Sequence, residues 1–351
     1  MATTIRKALI SSFSTHDDVT TISVVSAPLP APGKKHVQVR VSYAGFSGAD
    51  INMRMGIYPM QRKAPLTPGY CMVGRVAAIG PSCTPQYRVG DMVAAVTTYD
   101  AQAELINVDE SLLIPVPQEL AVRDDLVQQT AALVLDWNTA YGMVSHATDV
   151  QSGQSVFVHG LSGAVGQGLM TLCLLRGARV YGTASKRNHQ TLLDAGCAGV
   201  FEYRNKGWVQ AMKELGGADA VFDPLGFESW DESFSILSGK GILVGYGGNQ
   251  AVLSGGEEKP RSPLPHIAKL LAKGASPFCG KRTSFYYIKP GTSTCAADLQ
   301  ACMGLLKKGK IQVPIKAVWE LNTEGIRDAH RSWGKIEGMG SLLIRVGADG
   351  V

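Results

Sequence analysis

The sequence predicts an α/β protein in which a β-rich region is joined to a doubly wound parallel sheet. Three observations carry this prediction. From residue 155 to 245, short apolar strands alternate with helical runs, the order that builds a parallel sheet covered on both faces. The first ~120 residues read instead as strands punctuated by Gly and Pro. The length, 351 residues, suits about two domains at ~150 residues each.

Composition narrows the function classes. Apolar residues make up 45% and charged residues 18%, a globular balance. The net charge of +5 is spread in short pairs such as Lys34-Lys35 and Lys307-Lys308, which reads as a solvated surface and not a nucleic-acid face. No apolar run approaches the ~18 residues needed to cross a bilayer, so no membrane partner is expected. The seven Cys are odd in number and form no C-x-x-C pair, so neither a disulfide framework nor a zinc knuckle is expected. A reducing compartment fits that usage. Gly supplies 40 of the 351 residues, above the ~7% of an average chain, without a G-X-Y period.

The elements follow in order. Residues 1–13 are basic, hydroxyl-rich and free of acids, as a transit peptide is. Ala8-Leu9-Ile10 nevertheless opens a strand, and residues 20–25 resume one after His16-Asp17-Asp18, which reads as a folded hairpin and favours the cytosol. Residues 37–41 alternate with period two; 72–79 form a Gly-bounded apolar strand; 92–96 form another after the turn at Val89-Gly90-Asp91. Residues 124–141 have helical spacing. Then come strand 155–159, helix 165–175, strand 179–182, a helix over 189–195 stopped by Gly196, strand 220–222, helix 230–237 and strand 241–245. Past this repeat, 296–308 is an amphipathic helix, and 311–318 and 342–346 read as strands. Because this tail breaks the alternation, it is expected to pack back on the first domain. The expected domains are therefore 1–125 with 291–351, interrupted by 126–290.

The central motif is Gly160-Leu161-Ser162-Gly163-Ala164-Val165-Gly166-Gln167-Gly168, between a strand and a helix. Gly163 lets the backbone approach a pyrophosphate, the helix N-terminus offers free N–H groups and a positive dipole end, and Gly166 and Gly168 allow helix and strand to pack closely. The expected cofactor-binding residues here are Gly160, Ser162, Gly163, Ala164, Val165 and Gly166. The next strand ends at Gly182-Thr183-Ala184-Ser185-Lys186-Arg187, with no acid for a ribose 2′-hydroxyl. Ser185, Lys186 and Arg187 suit a 2′-phosphate instead, which predicts NADPH as cofactor. Asp223-Pro224-Leu225-Gly226 and Gly245-Tyr246-Gly247-Gly248 follow strands, so Gly226 and Gly245 are expected to line the cofactor at the carboxyl edge. Phe285 and Tyr287 either wall a substrate pocket or belong to the core. His146, His159 and His189 show no triad or metal spacing and read as structural.

These motifs, together with Ala44-Gly45-Phe46-Ser47-Gly48-Ala49-Asp50-Ile51-Asn52, Gly56-Ile57-Tyr58-Pro59, Pro68-Gly69-Tyr70 and Thr139-Ala140-Tyr141, resemble the medium-chain dehydrogenase/reductase superfamily over nearly the whole chain. The likeness is to its zinc-free quinone reductase and enoyl-thioester reductase branch. The resemblance implies a GroES-like β domain, split in sequence, and a Rossmann domain, often paired into a homodimer through a Rossmann edge strand, here expected at 241–246. It also assigns residues 6–30 to the family's first strands and so leaves nothing to be a transit peptide.

Zinc-dependent relatives carry Cys near position 47 and Gly-His-Glu near 69–71, where this chain has Ser47 and Gly69-Tyr70-Cys71; no metal is expected. The resemblance further implies hydride delivery to a conjugated C=C or a quinone, with Tyr58 either protonating or stabilising the enolate or standing as a rim aromatic. Ser47 and Asn52 are implied as substrate-binding residues, Thr139 as a neighbour of the nicotinamide, and Tyr203 as an adenosine-side residue. His189 stands where relatives often have a phosphate-binding Lys, so Lys186 and Arg187 would compensate. Asp136 departs from the family's Asn or apolar residue and is either a partly buried acid/base or a capped structural carboxylate. The expected function is an NADPH-dependent, zinc-free reductase of an activated C=C or a quinone acting on a small molecule. The alternatives are a tailoring enzyme performing an unusual reduction or non-redox rearrangement, and a nucleotide-binding interaction protein without turnover.

Overall fold

The computed structural model describes residues 2–59, 61–248, 264–275 and 280–347. The chain divides into two compact units: Met1–Asn138 with Lys289–Glu337 and Ser341–Val351, and Thr139–Ile288 with Gly338–Gly340.

The first unit begins with a hairpin of β1 (Thr3–Ile10) and β2 (Ile22–Leu29), paired antiparallel from Thr3 opposite Leu29 to Ile10 opposite Ile22. The 11-residue β3 (His36–Phe46) leads into α1 (Gly48–Met55). Then follow β4 (Cys71–Ile79), β5 (Met92–Val96), β6 (Leu105–Asp109), β7 (Ile114–Pro115) and α2 (Asp124–Ala132). In β3 the alternating Val37, Val39 and Val41 are fully buried, as period-two patterning requires of a core-facing row. The helical run begun by α2 continues as a π-helical turn over Leu133–Trp137, α3 (Asn138–Gly142) and a second π-helical turn over Met143–Ala147.

The second unit carries β8 (Ser155–Val158), α4 (Ala164–Leu175), β9 (Arg179–Ala184), α5 (His189–Asp194), β10 (Gly199–Glu202), α6 (Gly207–Glu214), β11 (Ala218–Asp223), α7 (Glu228–Ser235), β12 (Leu237–Gly245), α8 (Leu264–Gly274) and β13 (Arg282–Phe285). Its six strands are parallel in the order β10-β9-β8-β11-β12-β13. Numbered within the sheet this is 3-2-1-4-5-6, the doubly wound order whose direction reverses between β8 and β11. Phe157, Val221 and Leu243 from three neighbouring strands pack with Trp208, Met212 and Trp230 into its core.

The tail, α9 (Ser293–Lys307), β14 (Ile315–Glu320), α10 (Thr323–Ser332) and β15 (Ser341–Arg345), returns to the first unit. Strand β15 pairs antiparallel with β3, Leu342 opposite Phe46, and parallel with β14, completing a sheet of order β14-β15-β3-β4-β5-β7 with β6 also on β3. Two sequence expectations need correction. The strand expected over 311–318 starts only at Ile315, directly after Pro314, a residue without the N–H that a ladder needs. Residues 241–246 are not an edge: β12 lies between β11 and β13, and among the described residues the short β13 is the border strand.

Candidate active site

In the second unit the glycine loop leaves β8 with Gly160 at φ +74°, in the left-handed region open to glycine. The loop has few side chains of its own, and its neighbours hold it. The Gly160 N–H donates to Thr183 Oγ1 at 3.1 Å, and the Leu161 N–H donates to the Thr183 carbonyl at 2.9 Å. Gln167 Nε2 donates to the Leu161 carbonyl at 2.8 Å. The Gly340 N–H donates to the Ser162 carbonyl at 3.1 Å. Helix α4 starts at Ala164 on the N-cap Gly163, and no side chain caps it, so no side chain competes with an anion for its first-turn N–H groups. A Cβ on Gly166 would stand 2.1 Å from the Gly160 carbonyl oxygen, so only glycine permits this approach of helix and loop.

Beyond β9, Ser185 is half-buried and Lys186 and Arg187 are exposed on a short 3-10 turn, Lys186–Asn188. His189 Nε2 lies 3.1 Å from the Ala184 carbonyl and thus closes that turn by donating to it. Tyr203 is exposed just after β10, with the Arg204 guanidinium 5.5 Å from its ring centre; Arg204 is a third cation in this part of the chain that sequence reading passed over. Gly226 has φ +84°, and its α-carbon face abuts Gly247 and Gly248, so the turns after β11 and β12 touch. A side chain on Gly245 would run into Leu270 and Trp230, which makes this glycine a packing requirement of the core. Thr139, at the start of this unit, is half-buried. Phe285 packs edge-on to Trp230 at 6.0 Å within the unit's core, while Tyr287 is exposed, so these two aromatics do not form one wall.

In the first unit, Ser47 and Asp50 cap α1 reciprocally: Ser47 Oγ accepts from the Ala49 N–H and Asp50 Oδ2 accepts from the Ser47 N–H at 3.0 Å. The other oxygen of the buried Asp50 accepts from the Gly69 N–H at 3.0 Å and from Gln102 Nε2 at 3.2 Å. Burial pushes the Asp50 carboxyl up to about 7, and the neighbouring Asp136 charge adds to that. Asp50 was missed by sequence reasoning, although the spacing Ser47-x-x-Asp50 is a readable capping signal.

Asn52, on α1, has a buried Oδ1 with no hydrogen-bond partner. Tyr58 is half-buried and packs edge-on to Tyr70 at 5.9 Å and Tyr99 at 6.1 Å. Asp136 stands on the first π-helical turn, and its Oδ2 accepts from Ser341 Oγ at 2.7 Å. Burial raises Asp136 to about 6. The Cys71 thiol is pushed up first by burial and then by the charges of Asp136 and Asp50, so these three groups form one electrostatic cluster. Among the described residues no group of three or more His, Cys, Asp and Glu side chains is arranged to hold a metal ion. Ser47 is committed to its cap, and neither a serine hydroxyl nor the tyrosine at position 70 is a usual zinc ligand.

A family described as "alcohol dehydrogenase GroES-like domain" matches residues 33–118, and one described as "zinc-binding dehydrogenase" matches residues 164–276. The chain is 26% identical over 356 residues to the human synaptic vesicle membrane protein VAT-1 homolog, covering 98% of this chain and 87% of that protein. It is 28% identical over 228 residues to the probable quinone oxidoreductase of Schizosaccharomyces pombe, covering 64% of this chain and 67% of that one. The fold is similar to that of the Escherichia coli quinone oxidoreductase solved with NADPH, with a TM-score of 0.79 at 21% identity over 97% of this chain and 99% of that one. With its split GroES-like sheet and its Rossmann sheet, the chain belongs to the medium-chain dehydrogenase/reductase superfamily. Within that superfamily it falls in the quinone oxidoreductase-like branch.

The fold family implies a dinucleotide cofactor, and the second unit fits one. The uncapped α4 and the glycine contact at Gly166 make a cradle that a side chain would fill.

Proposed function

We propose that this protein is a zinc-independent, NADPH-dependent reductase of an activated C=C, in an α,β-unsaturated carbonyl or enoyl thioester, or of a quinone. The observation that carries the reading is the uncapped N-terminus of α4 behind the glycine loop, joined to a β9 end that offers Ser185, Lys186 and Arg187 in place of an acid. The quinone oxidoreductase relatives and the NADPH complex of a structural neighbour support it.

When bound, the nicotinamide supplies hydride. The chain's own residues do the rest. Gly160, Ser162, Gly163, Ala164, Val165 and Gly166 form the pyrophosphate loop; the Gly160 and Gly163 N–H groups are spent on Thr183 and on the Gly160 carbonyl, so the anion takes N–H groups among the others. Ser185, Lys186 and Arg187 bind the 2′-phosphate by charge and hydrogen bonding. Tyr203 lies on the adenosine side, and Gly226, Gly245 and Thr139 line the rest of the cofactor. Ser47 and Asn52 belong to the substrate side, where the unpartnered Oδ1 of Asn52 is an acceptor for a substrate or ribose hydroxyl. Tyr58 Oη is the proton source for the enolate, and Asp136, protonated below about pH 6, is a second one.

The test mixes purified protein with NADPH or NADH and a panel of enones, quinones and enoyl thioesters, following cofactor oxidation and product mass. NADPH oxidation with a hydrogenated product is expected, with kcat/KM at least tenfold above that for NADH. Comparable efficiency with the two cofactors would sink the 2′-phosphate assignment. A changed product without oxidation would favour the rearrangement reading that Asp136 motivates, and cofactor binding without any product a silent binding protein. Stoichiometric zinc in active protein would overturn the metal-independent part. The same reading makes the protein a cytosolic homodimer paired through its border strand.

A further inference from the structure

Behind the glycine loop lies a polar chain that none of the assigned roles uses. His159, Asp223, Ser229 and Ser233 are all buried, Asp223 and Ser233 completely. His159 Nε2 is 2.9 Å from Ser233 Oγ. Ser233 Oγ and Ser229 Oγ each donate to Asp223 Oδ2 at 2.7 Å, and Asp223 Oδ1 accepts from the Leu225 N–H at 2.8 Å.

Proton counting gives the chain a direction. Ser233 has one hydroxyl proton and gives it to Asp223, so its oxygen is left as the acceptor for His159. His159 therefore carries a proton on Nε2, and burial, which holds its pKa down, favours the neutral imidazole. The donors run from His159 to Ser233 to the Asp223 carboxyl oxygen. His, Ser and Asp are the ingredients of a hydrolytic triad, but here the serine stands between the other two and has no access to substrate, so nucleophilic chemistry is excluded.

The placement is informative. His159 immediately precedes Gly160, and its N–H donates to the Phe222 carbonyl at 3.0 Å, tying the end of β8 to the end of β11 at the point where the strand order reverses. Asp223 ends β11 and, through Leu225, shapes the turn that leads to Gly226. Ser229 and Ser233 lie on α7. Trp208 and Phe157 pack edge-on to the imidazole at 4.9 and 5.1 Å and fix its plane. Apolar residues of equal volume would fill this space at less desolvation cost, whereas a fully satisfied polar chain specifies one geometry.

We propose that His159, Ser233 and Asp223 are positioning residues for the nicotinamide dinucleotide. They lock the glycine loop to the 223–226 turn and so set the spacing of the two backbone segments that grip the cofactor. This rests on the NADPH reading above and adds residues that do not themselves touch the cofactor.

Calorimetric titration of the full-length protein with NADPH tests it, alongside thermal unfolding without ligand and steady-state kinetics. Ser233→Ala strands the His159 N–H, and His159→Ala removes it. Each is expected to raise the Kd for NADPH about tenfold, with the acceptor KM and the kcat at saturating NADPH within about twofold of wild type. His159→Gln, which keeps an N–H at the Nε2 position, is expected to restore Kd to within about threefold. An unchanged Kd in Ser233→Ala and His159→Ala, or a loss of kcat and acceptor affinity equal to the loss of NADPH affinity, overturns the proposal. Should Ser233→Ala fail to fold, the His159→Ala and His159→Gln pair decides by the same readings. A wild-type protein that binds neither NADPH nor NADH removes the cofactor reading itself, and this inference with it.

Discussion

Arg54 shows what one side chain can organise. It is fully buried, yet its guanidinium donates to Ser14 Oγ at 2.9 Å, to the Thr15 and His16 carbonyls at 2.8 and 2.6 Å and to the Asp18 carbonyl. Its Nε donates to His330 Nδ1 at 3.2 Å, so His330 must be neutral there, and burial together with the Arg54 charge holds its pKa well down. Replacing Arg54 by Leu leaves these acceptors unpaired, the buried ones of His16 and His330 among them, and a loss of about 3 kcal/mol in denaturant unfolding is expected. A loss under ~0.5 kcal/mol, the range of an ordinary surface change, would show that the loop re-pairs without it. Gly166→Ala forces a Cβ against the Gly160 carbonyl. It is expected to abolish NADPH binding in titration while the first unit's stability is kept; wild-type affinity would show that the loop can yield.

The carboxylates make a pH prediction. Asp50 and Asp136 are raised in the folded protein to about 7 and about 6, against ~3.9 when unfolded. Between those values the folded state binds more protons than the unfolded one, so stability from these groups is full below pH ~4 and falls as pH rises through 6 to 7. Asp136→Asn removes one of the two. The stability difference between wild type and Asp136→Asn is expected to shift against wild type by roughly 1–3 kcal/mol between pH 4 and 8. A difference that stays constant with pH would mean that Asp136 is already ionised in the folded protein at pH 4. In kinetics, Tyr58→Phe is expected to lower kcat for an enone about a hundredfold if its hydroxyl is the proton source, and unchanged rates in both Tyr58→Phe and Asp136→Asn would remove both assignments.

At the scale of elements, the most legible parts of the chain are those where sequence period and local chemistry agree. The glycine loop, β8, α4 and β9 are readable because an apolar strand, a run of glycines and a helical run occur in succession, and each is local. The four-residue β13 and the two-residue β7 are too short to show a period, and β13 makes its identity known only through its register on β12. The partners of the glycine loop were equally hidden. Thr183 and Gln167 meet the loop through side-chain hydrogen bonds over 23 and 6 positions, which no hydrophobic period marks, and Gly340 reaches Ser162 through its backbone N–H from the tail. Asp136 was visible as a departure from pattern, but not its place on a π-helical turn or its bond to Ser341, 205 positions on. The end of β9 supplies the element-scale prediction. Lys186→Ala with Arg187→Ala removes two exposed cations, and the KM for NADPH is expected to rise tenfold or more with that for NADH unchanged. Equal effects on both cofactors would show that these residues do not meet the 2′-phosphate.

At the scale of the whole molecule, the order of a six-stranded parallel sheet and the return of β15 to β3 define the fold as a nucleotide-binding unit set within the sequence of a β unit. Among the described residues, β13 borders the sheet and pairs with a strand on one side only. A second copy adding its own β13 there would extend the sheet across a dimer, and sedimentation is expected to give the mass of two chains. A mass of one chain at micromolar concentration would refute the pairing.

Three residues of the tail, Gly338–Gly340, belong to the nucleotide-binding unit, although the residues on either side of them belong to the other. Gly340 supplies the N–H that holds the Ser162 carbonyl. The nucleotide-binding unit is therefore not an excisable cassette. A fragment cut at 139 and 288 would leave its phosphate loop short of one strut, and a chimera that swapped this unit for a relative's would have to import the matching tripeptide from near the far end of the donor chain.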